Sequence, residues 1–171
     1  MALLVLSVAG SDRPGLTKAL AAAVLSGGGN WLESHLSRLG GLYVGSVLVE
    51  LDTGKVEALR AAVAALDAEG LDFRIAPAAT PSAEAAAGET LAFSLVGQDR
   101  PGIVNQVTRA VSDLGANIET FETWLSKESH SGAPLFHMSA HLRLPPGLAA
   151  TKVQAALEAI SGDIMIDVAV R

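Results

Sequence analysis

One segment of this chain occurs twice. Gly10-Ser-Asp-Arg-Pro-Gly15-Leu16 returns as Gly97-Gln-Asp-Arg-Pro-Gly102-Ile103, and Asn30 returns as Asn117, all at a constant offset of 87 residues. Between Leu4 and Asn30 the same register also repeats Leu4, Ser7, Ala23, Val24 and Gly28 as Leu91, Ser94, Ala110, Val111 and Gly115, with no gap. A chain patterned in this way is built from two copies of one unit. Its 171 residues accommodate two modules of about 80 residues each.

Each copy shows the same order of elements. In the first, Leu3 to Ala9 is an apolar strand, and Pro14 to Ser26 follows with Leu16, Leu20, Ala23 and Val24 at helical spacing. A strand over 30–39, the turn Gly40-Gly41 and a strand over 42–51 make a hairpin. Val56, Leu59, Val63 and Leu66 mark a second helix, and Leu71 to Ile75 closes the unit as a strand. The second copy predicts strands at 91–96, 117–126, 135–144 and 164–170, with helices at 101–114 and 151–160. The order βαββαβ specifies an α+β fold: two ferredoxin-like modules, each a four-stranded antiparallel sheet with both helices on one face. The expected boundaries are 1–77 and 89–171, with 78–88, poor in large apolar residues and holding two prolines, as the linker. Apolar residues alternate onto both faces of the third strand, Leu42, Val44 and Leu48 on one and Tyr43, Val47 and Val49 on the other. The helix-free face therefore needs a cover, most simply the sister module or a second chain, and self-association is expected.

Composition narrows the function. The formal net charge is −6 with no basic run, which disfavours direct binding to nucleic acid. The apolar start, Ala2 to Ala9, has no positively charged flank and is too short to span a bilayer, so no membrane association is expected. With no cysteine there is no disulfide framework, thiolate nucleophile or cysteine metal site, and the expected compartment is the cytoplasm.

The repeated loop carries the functional signal. Arg13-Pro14 and Arg100-Pro101 put proline where the first helical position is expected, and Gly15 and Gly102 let the first turn be approached closely. Gly10 and Gly97 are expected to bend the chain out of its strand. Free N–H groups at a helix N-terminus favour an anion such as a carboxylate. That anion is either a ligand or the Asp12 or Asp99 side chain acting as a cap. Asn30 and Asn117 divide in the same way between turn residues in left-handed geometry and amides that face a ligand.

A βαββαβ module with Gly-x-Asp-x-Pro-Gly after its first strand and Gly-x-Asn before its second, here Gly28-Gly-Asn-Trp31 and Gly115-Ala-Asn-Ile118, resembles the ACT domain. That domain is a small-molecule-sensing module that usually binds amino acids. Two such modules without a catalytic domain are similar, over almost the entire chain, to the glycine cleavage system transcriptional repressor family. The resemblance implies a non-catalytic regulatory protein that needs no cofactor. It would bind a small amino acid, glycine or similar, between paired ACT units. Carried over, the ligand-binding residues are Ser11, Asp12, Arg13, Pro14, Gly15, Leu16 and Asn30, with Gln98, Asp99, Arg100, Pro101, Gly102, Ile103, Asn117 and Ile118 in the second copy. Trp31 departs from the usual isoleucine, which favours the second site over the first. Repressors of that family contact a DNA-binding activator protein rather than DNA, in agreement with the charge.

Other constellations are weaker. His137 and His141 share one face of a strand near His130, but no zincin spacing accompanies them, so they are expected to be surface or interface histidines and not metal ligands. The chain has no Gly-x-Ser-x-Gly elbow, P-loop or dinucleotide fingerprint, and an enzyme is not expected. The competing reading is a pure interaction or oligomerisation module whose loops are structural and bind no small molecule.

Overall fold

The computed structural model describes residues 1–67, 70–79, 88–129, 131–160 and 164–170. The chain divides into two compact units, 1–80 and 81–171. The expected linker at 78–88 lies outside the described residues except at 78, 79 and 88.

The first unit runs β1 (Ala2–Ser11), α1 (Leu16–Ser26), β2 (Asn30–Leu39), β3 (Leu42–Leu51), α2 (Val56–Asp67) and β4 (Leu71–Pro77), with a short 3₁₀ turn at Thr53–Lys55 before α2. The second runs β5 (Thr90–Gln98), α3 (Ile103–Asp113), β6 (Asn117–Lys127), β7 (Pro134–Arg143), α4 (Ala150–Glu158) and β8 (Ile164–Val170). Both sheets are antiparallel and share one topology, β2-β3-β1-β4 and β6-β7-β5-β8. These are the two ferredoxin-like modules implied by the repeat.

Period-two alternation in the central strands and helical periodicity in the flanking segments together select one buried face. In the first unit Leu4, Leu6 and Val8 of β1 and Tyr43, Val47, Val49 and Leu51 of β3 join Leu16, Leu20, Ala23 and Val24 of α1 and Leu59, Val63 and Leu66 of α2 in one core. In the second, Leu91, Phe93 and Leu95 of β5 and Phe136, Met138, Ala140 and Leu142 of β7 meet Ile103, Val107 and Val111 of α3 and Val153 and Leu157 of α4. The duplication extends to irregularities: β2 slips register between Trp31 and Glu33, and β6 slips between Ile118 and Thr120, at the same offset in the sequence.

The helix-free faces differ. In the first unit this face carries an apolar patch, with Leu3 and Leu42 exposed and Val5, Val44 and Leu48 half-buried, among polar residues that include Ser7, Ser46, Glu33, His35 and Arg74. In the second it is polar. His137 and His141 do share it, as their spacing predicts, and each is held by a hydroxyl: Ser126 Oγ lies 2.6 Å from His137 Nε2, and Thr120 Oγ1 lies 2.7 Å from His141 Nδ1. The indole of Trp124 stacks on the His137 ring at 5.1 Å. His130 lies outside the described residues. Among the described residues no three His, Asp or Glu side chains converge in a way that could hold a metal ion.

Candidate functional site

The repeated loop leaves the last residue of each first strand and enters the helix through a glycine. Gly15 is the N-cap of α1 at φ 94°, ψ −3°, and Gly102 is the N-cap of α3 at φ 93°, ψ −4°. These are the angles of the third position of a type II turn, whose second position favours proline. Pro14 and Pro101 therefore belong to a turn ahead of the helix and not to its first position, which corrects the expectation from sequence. A β-carbon at either glycine would meet nothing within 4 Å, so within this chain the glycine is required by its angles and not by a close neighbour. The carbonyls of Gly15 and Gly102 accept the first helical hydrogen bonds from Ala19 and Gln106, both at 2.9 Å. Leu16 and Ile103 are buried directly beyond the turn and fix it to the core.

Two further expectations are corrected here. Gly10 and Gly97 do not bend the chain, since both are paired within strands, Gly10 with Tyr43 and Leu71 and Gly97 with Phe136 and Ile164. Nor is either aspartate the cap of its helix: the N-cap is the glycine in both, with no side-chain cap hydrogen bond. Asp12 instead ties the loop to the β2–β3 hairpin, its N–H donating to Gly41 O at 3.3 Å and its carboxylate receiving Arg38 Nε at 3.1 Å. The N–H of Asp99 makes the matching bond to Pro134 O at 3.2 Å. The repeat partner of Arg38 is Leu125, so the second loop has no arginine there, and among the described residues no ion pair forms to Asp99. Arg100 turns to its own helix and donates to Gln106 Oε1 at 2.9 Å. Ser11 ends β1 opposite Leu42, and Gln98 ends β5 opposite Leu135.

The asparagines do not adopt left-handed geometry, because no residue other than glycine has positive φ among the described residues; Gly28 and Gly115 take those positions. Asn30 and Asn117 are instead the first residues of β2 and β6 and pair with Glu50 and Arg143. This places them far from the loops. Ser11 stands at the hairpin end of the sheet, whereas Asn30 stands in the row that contains the start of β1. The eleven residues of α1, or of α3, separate loop from asparagine by about 17 Å of helix. Within one module the predicted site is thus two half-sites at opposite ends of the same helix.

Beside the second half-site the structure adds residues that the motif did not indicate. Asn117 and Ile118 line an open groove of about 580 Å³ together with Asn105, Thr108, Arg109, Ser112 and Ala116. On α3 these polar residues stand three and four apart, on the flank away from Ile103, Val107 and Val111. Arg109 is an exposed guanidinium with a loose contact to Asp113 at 3.8 Å. Thr108 donates to Val104 O at 2.8 Å and to Asn105 O at 3.3 Å, which leaves its oxygen able to accept. The bulge residue Glu119 receives two hydrogen bonds from Arg143, at 2.9 and 3.4 Å, and anchors the start of β6.

The ACT domain sequence model matches residues 2–75 and 89–169. None of the curated proteins matches the chain. Among solved structures, a protein of unknown identity from Galdieria sulphuraria is 28% identical and superposes over 99% of this chain and 98% of its own with a TM-score of 0.84. A protein assigned as a glycine cleavage system transcriptional repressor covers 99% of this chain and 98% of its own at 15% identity and a TM-score of 0.69, a likeness of fold. The repeat, the topology and the two matched segments lead to one conclusion: the chain belongs to the ACT-domain family and carries that domain twice.

Proposed function

We propose that this is a non-catalytic, amino-acid-sensing regulatory protein of the cytoplasm. Its ligand is a small amino acid, glycine or similar, and it acts through contacts with another protein, a DNA-binding activator in the repressor-like reading. The observation that carries this reading is the pair of helix N-termini capped by glycine, with no side-chain cap hydrogen bond and, among the described residues, open where a β-carbon would stand. Their N–H groups and helix dipoles suit a carboxylate. The net charge of −6 supports a protein partner over DNA.

Because loop and asparagine lie at opposite ends of a helix, one module cannot close both on a small ligand. A second copy, related by a two-fold axis that runs like modules antiparallel, would set its loop against the asparagine end of the first. The ligand-binding residues are then Ser11 to Leu16, Asn30, Gln98 to Ile103, Asn117 and Ile118, shared between copies. Titration calorimetry of the full chain against the proteinogenic amino acids tests the reading, with heat expected from a small polar member. Heat from none of them, with folded protein in the cell, removes the sensing function. Gly102→Leu is expected to abolish that heat while the protein still unfolds cooperatively.

The apolar patch of Leu3, Val5, Leu42, Val44 and Leu48 on the helix-free face of the first unit supports the second reading, a pure interaction module. Partner binding that no amino acid alters would favour it.

A further inference from the structure

We infer that this chain carries one amino-acid site, in the second module only, and that the site takes an amino acid with a polar side chain. The inference rests on the sensor reading above and narrows it, from candidate sites in both modules to the second alone and from small amino acids to those with a polar side chain. It comes from comparing the two copies position by position along the helix flank that leads to the asparagine. In the second module that flank presents Asn105, Thr108, Arg109 and Ser112 to the groove holding Asn117. At the repeat offset the first module has Lys18, Ala21, Ala22 and Leu25, all exposed. Asn30 is retained, but the groups around it are not.

The chemistry of the groove is selective. Arg109 offers the one cation among its lining residues, a forked donor that would join the helix N-terminus of a second copy's loop in holding the carboxylate, and its contact with Asp113 is long enough to be exchanged. The side-chain carbonyls of Asn105 and Asn117 and the oxygen of Thr108 can accept from an ammonium group. Ser112 and the remaining amide capacity are left for a hydroxyl or amide on the ligand. A branched apolar side chain makes none of these hydrogen bonds and so gains less from the groove than a polar one. The first module can offer neither the fork nor the hydroxyls, and Leu25, 76% exposed, turns the same flank apolar.

Calorimetry on the full chain tests this with glycine, serine, asparagine, glutamine, valine and leucine as titrants. One ligand per chain is expected, with serine, asparagine or glutamine bound more tightly than valine or leucine. Arg109→Gln, at a solvent-exposed position, is expected to weaken binding about tenfold, the loss typical of removing one charge-assisted partner. Leu25→Ser, at the equivalent of Ser112, is expected to leave binding unchanged. Two equal sites per chain, a preference for valine or leucine, or an Arg109→Gln variant that binds like the parent would overturn the inference while leaving the sensor reading in place. No heat from any amino acid would overturn both.

Discussion

Two glycines in this chain are required for different physical reasons, and the difference can be measured. Gly102 has φ 93° and open space around its missing β-carbon, so alanine there brings only the left-handed strain of about 1–2 kcal/mol. Gly45 has φ 149° inside β3, and a β-carbon would lie 2.0 Å from the carbonyl oxygen of His35 in the neighbouring strand. Alanine there adds overpacking of about 1–3 kcal/mol to the strain. Urea unfolding of the full chain should therefore rank Gly45→Ala clearly below Gly102→Ala; equal midpoints would mean that β2 yields to the extra methyl without cost. At this scale the kind of turn is legible in the sequence and the exact position of each residue is not. The Pro-Gly pairs identified a turn at the head of a helix, but not that the glycine, with its left-handed angles, would be the cap itself. Asp12 looked like a cap because its true partner, Arg38, is distant in sequence and adjacent only across the folded hairpin.

Between elements, stability is concentrated on one flank of each helix. Leu20 of α1 is fully buried against β1, β3 and α2, whereas Leu25 on the same helix is 76% exposed. Leu20→Ala should cost about 2–5 kcal/mol through lost burial and the cavity left behind. Leu25→Ala should stay within about 0.5 kcal/mol. Chemical denaturation of both variants checks the contrast, and similar losses would mean that the outer flank of α1 is covered in the native protein. Helical and strand periodicity made the buried flanks legible, since Leu16, Leu20, Ala23 and Val24 recur at the spacing that one face requires. The outer flank of α3 was not legible as a groove. Polar residues three and four apart describe any solvated helix face, and only the start of β6, folded back beside them, makes Asn105, Thr108, Arg109 and Ser112 line an open groove. The strand slips at Leu32 and Glu119 leave no mark in the sequence either, because neither position carries a glycine or proline to signal a bulge.

Over the whole molecule, duplication made the architecture legible and divergence made the function specific. A repeat with a fixed offset predicted two equivalent modules, and the strand order of the two sheets is the same. Equivalence ends at the surface, where the helix-free face carries the apolar patch of Leu3, Val5, Leu42, Val44 and Leu48 in one unit and His137, His141 and Trp124 in the other. Sequence could not say that loop and asparagine would stand about 17 Å apart along a helix, because their pairing in the motif carries no distance. That separation gives the molecule a testable linkage. If the ligand is shared by modules of two copies, binding and self-association must strengthen each other by the same factor. Sedimentation of the full chain should then show its associated form increasing when the bound amino acid is added, and calorimetric affinity should weaken as the protein is diluted. The thermal midpoint with ligand should likewise rise with protein concentration. Affinity that is independent of dilution, with an unchanged sedimentation coefficient, would instead assign the ligand to a single module, held by the groove along α3 and not by the loop of a second copy.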